Sequence, residues 1–189
     1  MSKYFIIFFL TIAGLQSCKL KKPFSESRPV EEKEYRFPLD WIGDYEGELL
    51  IFGQNNDTLV AKMELSIEHL SPAGYYPWTI RYNDSDIRAY GLEPINPNAE
   101  YYQIDEFNSV KLDAYYKGGH FVSRFDVMGN DILIDYKRIP GGIEVLLYIS
   151  SREAINVSGG EVIAQDTVPY VESYELKAFQ TAFLKKKNG

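Results

Sequence analysis

Apolar and polar residues alternate between positions 100 and 150 with the two-residue period of β-strands. Turn residues interrupt this alternation about every ten positions, at Asn108-Ser109, Gly118-Gly119, Gly129-Asn130 and Pro140-Gly141-Gly142. In the run from Val110 to Lys117, one face of the strand would carry the apolar set Val110, Leu112, Ala114 and Tyr116. The other face would carry the more polar set Lys111, Asp113, Tyr115 and Lys117. This pattern predicts a β-meander with one buried face and one solvent-facing face.

The sequence before and after the meander also alternates between apolar and polar residues, and this predicts further strands. The earlier strands are predicted at Trp41 to Leu49, Leu59 to Glu68, Trp78 to Tyr82 and Ile87 to Leu92. A longer connection containing Pro94 and Pro97 then leads into the meander. The last run, Ser173 to Leu184, is apolar on both faces and needs a partner on each. Pairing it with the first strand would close the sheet and remove both edges.

About ten strands joined mostly by short turns favour an up-and-down barrel over a sandwich, whose Greek-key connections need longer loops. The predicted fold class is therefore all-β, a single antiparallel up-and-down barrel of about 8–10 strands. The stretch from Ser151 to Tyr170 lacks a clear period. It is predicted either as a lid across one end of the barrel or as a long surface loop.

The first 18 residues predict a location rather than a part of the fold. Positions 1–17 combine Lys3 with a short apolar run from Tyr4 to Leu15, the pattern of a secretory signal peptide. The segment Leu15-Gln16-Ser17-Cys18 follows and resembles the lipobox of bacterial lipoproteins. The resemblance implies that the signal is cut before Cys18, which then carries a diacylglycerol and an amide-linked acyl chain such as palmitate. The alternatives are a transmembrane anchor or an ordinary signal with a chance cysteine nearby.

Residues 18–36 are charged, contain Pro23 and Pro29 and show no sustained period, so they are predicted to form a flexible tether after the lipidated cysteine. The barrel domain is predicted at residues 37–189. Lipidation would make the membrane a partner through Cys18, because several acyl chains on one residue form a stable anchor. The expected location is the bacterial cell envelope, at the outer membrane, with the periplasmic and the surface face both open.

The beginning of the domain resembles the lipocalin-like (calycin-like) β-barrel lipoproteins of bacteria. The resemblance rests on Trp41-Ile42-Gly43, since in those barrels a Trp and a Gly close to the first strand plug one end. The order of the two residues is the reverse of the lipocalin Gly-x-Trp signature. The resemblance implies an architecture only, a β-barrel of uncharacterised function with one plugged end.

Composition narrows the possible chemistry. The net charge is −7, and no Lys/Arg-rich stripe interleaves with the aromatic residues, so nucleic acid is not an expected partner. One cysteine and two histidines make a zinc site of His and Cys ligands improbable, and no metal or other cofactor is predicted. The 15 Tyr and 11 Phe suit strands around a wide interior.

Three polar arrangements were candidates for chemistry, and each has a simpler structural explanation. Asp105 and Glu106, with Asp113 beyond the next turn, could supply the paired carboxylates of a glycosidase. Asp84 and Asp86 suggest calcium, but their loop lacks the spacing of an EF-hand. His120 and Ser123 have opposite parity on one strand, which disfavours a Ser-His pair. The sequence therefore predicts no catalytic residues and no enzyme.

Two functions remain open at the level of sequence, because a barrel of this size either fills itself or holds one small ligand. In the first, the protein binds a hydrophobic or amphipathic small molecule, with candidate lining residues Trp78, Tyr82, Tyr116, Phe125 and Tyr136. In the second, a filled barrel is an interaction module for another envelope protein. It would present exposed aromatic residues, namely Tyr115, Tyr148, Phe179 and Phe183.

Overall fold

A computed structural model describes residues 34–53, 57–164 and 166–188. The predicted signal peptide, the lipidation site Cys18 and all but the last three residues of the predicted tether lie outside the described residues. Positions 54–56, at the first predicted turn, also lie outside them.

The described chain contains almost only strands and turns. The strands are β1 Gly43–Gly53, β2 Thr58–Ile67, β3 Tyr76–Tyr82, β4 Asp86–Asn96, β5 Tyr101–Asp105, β6 Lys111–Lys117, β7 His120–Val127, β8 Asn130–Ile139, β9 Gly142–Ser158, β10 Val162–Ile163, β11 Asp166–Thr167 and β12 Val171–Lys186. Short 3-10 turns lie at Leu39–Trp41 and Pro97–Ala99. In these described segments, no helix is long and apolar enough to cross a membrane.

Ten of the described strands form a closed antiparallel barrel in the order β1-β12-β9-β8-β7-β6-β5-β4-β3-β2. Successive strands along the chain are neighbours, apart from the small β10-β11 pair, so the predicted up-and-down barrel is confirmed. The closing seam joins β1 to β12, with Leu49 opposite Ala182 and Phe52 opposite Phe179. The last strand therefore has β9 on one side and β1 on the other, as its two apolar faces predicted.

The turns of the meander lie where the sequence predicts them. The β6–β7 turn uses Gly118 and Gly119, whose φ angles of 57° and 86° favour glycine. The β7–β8 turn lies at Met128-Gly129, and the β8–β9 turn lies at Pro140-Gly141. The connection predicted around Pro94 is shorter than expected, because β4 continues through Pro94 to Asn96 with a bulge in its pairing to β5.

The largest departure from the sequence prediction is at Ser151 to Tyr170. Instead of a loop, β9 continues to Ser158 and pairs with the start of β12, with Ser158 opposite Val171. The small β10-β11 hairpin lies between them. We call residues 151–174 the ribbon. The pairing of β9 with β12 shifts register three times between Ser173 and Ala178, and these shifts disrupt the alternation of the opposing residues 149–156 of β9.

Candidate functional site

The two ends of the barrel differ in structure. The β3–β4, β5–β6 and β7–β8 turns and the ribbon lie at one end, which we call the mouth. The segment from Glu34 to Ile42 lies at the opposite, plugged end, because β1 begins there and runs toward the mouth. The described chain therefore enters the barrel at the end opposite its mouth.

Aromatic side chains close the plugged end. The Phe37 ring is stacked on Phe121 and on Tyr116, with centroid distances of 4.6 and 4.9 Å, and it meets the edges of Trp41 and Tyr102. Trp41 is completely buried and accepts, through its backbone carbonyl, a hydrogen bond of 2.6 Å from the Tyr45 hydroxyl. This interlocked cluster fills the interior of the described barrel at this end.

The plug includes Tyr35, which belongs to the predicted tether, and one arginine. The Tyr116 hydroxyl donates a 2.8 Å hydrogen bond to the Tyr35 carbonyl oxygen, so contact with the barrel begins at Tyr35 rather than at Phe37. The Arg138 guanidinium lies 4.6 Å from the Tyr35 ring centre and 5.6 Å from that of Tyr45. It also donates a 2.6 Å hydrogen bond to the Gly142 carbonyl oxygen, and these contacts hold the entering chain against the barrel.

The mouth half of the barrel is hollow. It encloses a cavity of about 800 Å³ that reaches the rim at Asn83, Glu106 and Val127. This volume lies within the range of about 300–1,000 Å³ that small-molecule sites occupy. The wall is mainly aliphatic, with Leu49, Ile51, Ile80, Leu112, Ile132, Ile134, Leu147 and Ile149. Trp78, Phe121 and Tyr136 form its floor, with the Trp78 ring 5.3 Å from Tyr136 and 5.5 Å from Phe121.

Four of the five predicted lining residues lie on this cavity. Trp78 and Tyr136 are buried at its floor, whereas Tyr82 and Phe125 lie on its wall closer to the mouth. Burial raises the pKa of the Tyr82 and Tyr136 phenols above their ordinary range, so both remain neutral. The fifth, Tyr116, faces inward as predicted but belongs to the plug, because it lies at the end of β6 that is far from the mouth.

The sequence analysis missed the polar residues of the wall. Arg88 lines the cavity close to the mouth, and its Nε and Nη2 donate hydrogen bonds of 3.3 and 2.9 Å to the Asp86 carboxylate. That contact lowers the pKa of Asp86. The guanidinium also lies 5.0 Å from the Tyr82 ring centre. The sequence does contain an indication of their orientation. Asp86, Arg88 and Tyr90 lie at every second position before the fully buried Leu92, so all of them face the interior of the barrel.

The candidate carboxylates have structural partners. Asp105 accepts a 2.7 Å hydrogen bond from the Phe107 backbone N–H and lies 3.1 Å from Lys111 Nζ. Asp113 accepts hydrogen bonds from the Tyr101 hydroxyl and the Gln103 amide at 2.7 and 3.1 Å. Within the described segments, no group of three or more His, Cys, Asp or Glu residues could hold a metal ion. These residues stabilise the outer surface of the sheet.

The remaining candidates pair in the same way. Asp84 lies in the turn of residues 83–85, 2.9 Å from Lys62 Nζ. His120 Nδ1 lies 2.9 Å from the Asp135 carboxylate on the neighbouring strand β8. Ser123 faces the interior and donates a 2.8 Å hydrogen bond to the Asp113 carbonyl oxygen. The His and Ser are thus on opposite faces of β7, as their parity predicted.

Aromatic residues also lie on the outer surface of the barrel. Tyr115, Tyr148 and Phe183 are exposed, and Phe179 is half-buried between its neighbours. The Phe179 ring packs against Tyr148 at 5.0 Å and against Phe52 at 6.0 Å, so these rings form a row across β9, β12 and β1. The ribbon adds further exposed apolar side chains beside the mouth, namely Ile155, Val157, Val162, Ile163, Tyr170 and Val171.

Comparisons with known proteins identify the fold. No protein-family model matches the chain, and no curated protein matches it significantly. Among solved structures, the chain is similar to a protein with unknown function from the DUF3598 family of Nostoc punctiforme PCC 73102, with a TM-score of 0.59 and 10% sequence identity. The match covers 86% of this chain and 53% of that protein, so this chain spans about half its length. At this identity the likeness concerns the barrel fold.

Proposed function

We propose that this protein is a lipid-anchored component of the bacterial cell envelope that binds a small hydrophobic or amphipathic molecule inside its barrel. The observation that carries the proposal is the cavity of about 800 Å³ in the mouth half, walled by aliphatic and aromatic side chains. A well-formed apolar cavity with a few polar groups is the usual form of a small-molecule site. The plug provides the stability that a hollow interior does not.

The lipid anchor rests on the lipobox-like segment Leu15-Gln16-Ser17-Cys18. Acylated Cys18 would lie in the outer membrane, and the segment up to Glu34 would act as the tether. A flexible coil of that length spans about 20–25 Å. Since Glu34 lies at the plugged end of the barrel, such a tether would leave the mouth accessible. This arrangement suits a carrier that must accept and release its ligand.

Native mass spectrometry tests the cavity. The full chain carrying Cys18→Ser is produced in a bacterial envelope and then extracted with organic solvent. A defined molecule present at close to one per protein supports a carrier and gives its chemical class. A ligand-free mass, together with no saturable uptake of the neutral apolar probe N-phenyl-1-naphthylamine, would contradict the proposal. The anchor is tested separately, by incorporation of labelled palmitate into the wild-type chain and its loss in Cys18→Ser.

A second candidate function is an interaction with another envelope protein, and the ribbon is the observation that favours it. Val162, Ile163 and Tyr170 are 59–76% exposed beside the mouth. Exposed apolar patches of this kind often mark interaction sites. Photo-crosslinking from position 163 in cells, compared with position 60 on the outer face of β2, distinguishes the two functions. A specific adduct at 163 that does not form at 60 supports the interaction module.

A further inference from the structure

One cationic side chain lies on the wall of a mainly apolar cavity, whose lining also includes the carboxylates of Asp86, Glu106 and Asp126. Arg88 is the single Lys or Arg among the described residues that line it. It faces inward from β4, opposite the buried Ile80 of β3, and its side chain is 49% exposed at the mouth. A position at the junction of an apolar chamber and solvent suits the head group of an amphipathic ligand whose tail lies deeper.

The guanidinium keeps hydrogen-bonding capacity after its contact with Asp86. An arginine carries five N–H donors in a planar fork. Asp86 accepts from Nε and Nη2, which form one edge of that fork. The end of the fork, formed by Nη1 and the second Nη2 hydrogen, faces away from Asp86. An arginine end of this shape matches a carboxylate or a phosphate.

The neighbours of Arg88 fix its position. The Tyr82 ring lies under the guanidinium at 5.0 Å, and Tyr90 lies on the same inward face two positions further along β4. The guanidinium acts on Tyr90 through its charge and a side-chain hydrogen bond, although burial dominates and raises the pKa of that phenol. Both phenols therefore stay protonated and can donate a hydrogen bond to an anion held by Arg88.

Two of the three carboxylates that line the mouth contact other side chains rather than Arg88. Asp126 lies 3.1 Å from Arg152 Nη1, which belongs to the ribbon. Glu106 accepts a 3.1 Å hydrogen bond from the Asn108 side chain. Asp86 is the carboxylate in contact with Arg88, and it therefore competes directly with an incoming anion. This competition predicts opposite effects for substitutions of the two partners.

We infer that the ligand is an amphiphile with an apolar tail and a small anionic head group, and that Arg88 binds this head group at the mouth, assisted by Tyr82 and Tyr90. The inference rests on the proposed function, since it names the ligand class of the same cavity. It also assigns Asp86 a role, because the Asp86 carboxylate holds the guanidinium in place and is displaced or joined by the ligand.

The test uses the full chain carrying Cys18→Ser and the neutral probe N-phenyl-1-naphthylamine, displaced by dodecanoate, by methyl dodecanoate or by dodecyl phosphate. Dodecanoate and its ester share a tail and differ in charge. We expect an anion to displace the probe at about tenfold lower concentration than the ester, as charge-assisted hydrogen bonds predict. The comparison of the two anions distinguishes a fatty carboxylate from a phosphate head group.

Three variants locate the effect. Arg88→Met should remove the preference for anions and leave ester binding within about twofold, since the substitution retains apolar contact. Asp86→Asn should strengthen dodecanoate binding several-fold without changing ester binding, because the guanidinium loses its competing carboxylate. Arg124→Met is the matched control. It removes an arginine of β7 that pairs with Asp131 at 2.7 Å on the outer surface, and should change neither affinity.

The outcomes separate the two proposals. If the probe binds but the anions and the ester are equivalent, or if the preference survives Arg88→Met, the cavity function stands and the role of Arg88 is wrong. If neither probe nor ligand binds, the proposed function fails and the inference fails with it. If Arg88→Met does not fold, Asp86→Asn decides, since unchanged affinity for dodecanoate would overturn the inference.

Discussion

Phe121 and Phe125 both face the interior from β7, yet they lie at different depths. Phe121 is 1% exposed and contacts Phe37, Trp78 and Tyr136. Phe125 is half-buried on the cavity wall. A side chain in a close-packed environment cannot be removed without leaving a void, whereas one that borders a hollow already lacks partners on one side. Depth along the strand therefore decides whether an inward residue stabilises the fold or shapes the cavity.

This difference predicts unequal effects of truncation. Phe121→Ala should lower the free energy of unfolding by about 3–5 kcal/mol, the usual cost of removing a buried phenylalanine. Phe125→Ala should cost less than half as much, because its site borders the cavity. Urea unfolding of both variants measures the difference. Equal losses would indicate that the mouth half is also closely packed in solution, and this would contradict the hollow barrel.

The sequence predicts which side chains face the interior of the barrel, but not how deep along the barrel axis each of them lies. The inward set on β6 and β7 follows directly from alternation, and Phe125, Tyr116 and Ser123 all face the interior as expected. Whether an inward residue meets the plug or the cavity depends on strand tilt and on residues distant in sequence. Tyr116 joined the plug because Phe37 stacks on it. Arg88 was not among the predicted lining residues, which were all aromatic, although it shares the inward parity of Tyr90 and Leu92 on β4.

At the scale of elements, β9 and β12 differ from the rest of the barrel. They have 17 and 16 residues, and their outer parts form the ribbon beside the mouth. The ribbon was missed because its register shifts break the alternation and because Gly159-Gly160 resembles the start of a loop. Its apolar side chains are largely exposed, so within the described chain it adds little to the core.

Shortening the ribbon should therefore leave the barrel stable. Replacing residues 157–172 with Asn-Gly would join Asn156 to its partner Ser173 through a two-residue hairpin. We expect the free energy of unfolding to change by less than about 1 kcal/mol, since the removed side chains bury little surface. Thermal and urea unfolding measure the effect, and size-exclusion chromatography reports any change in self-association. Loss of cooperative unfolding would show that the ribbon is part of the stable sheet.

The ladder of charges across β4, β5 and β6 predicts a pH dependence. The Phe107 backbone N–H and then Lys111 lower the pKa of Asp105 below its ordinary value. A carboxyl whose pKa is lower in the folded state stabilises the fold above its unfolded pKa. This contribution disappears as the pH falls through the folded pKa. Asp105→Asn should thus be less stable than wild type at pH 7 and match it in strong acid.

Urea midpoints across the acid range measure this difference. The urea midpoints of Asp105→Asn and wild type should converge as the pH falls. If their difference instead stays constant down to the lowest pH, the effect comes from the shape of the residue and not from its charge. The expected size is small, because ion pairs on an exposed surface contribute little. The direction and the pH window are the tested quantities.

At the scale of the whole molecule, the two ends of the barrel perform different tasks. The plugged end holds the largest buried side chains, including Trp41, Tyr45 and Phe121. The mouth end holds the cavity, its rim and the ribbon. The closed barrel and its strand order followed from turns and alternation in the sequence. Whether the interior is filled or hollow could not be predicted in this way. The sequence indicates which side chains point inward, but not whether side chains from opposite walls meet across the barrel axis.

A cavity that binds ligand should lose binding, and not stability, when it is filled. Ala61 lies on its wall at β2, opposite Leu49 of β1. Ala61→Phe should weaken uptake of N-phenyl-1-naphthylamine at least about tenfold, while the ligand-free chain keeps its free energy of unfolding or gains from the added apolar contact. Val60→Phe is the matched control, because Val60 is 58% exposed on the outer face of the same strand. A ligand at 100 times its Kd should stabilise wild type by about 2.7 kcal/mol. At the same ligand concentration this stabilisation should persist in Val60→Phe and fall to about 1.4 kcal/mol or less in Ala61→Phe, whereas equal stabilisation of all three proteins would place the binding site outside the barrel.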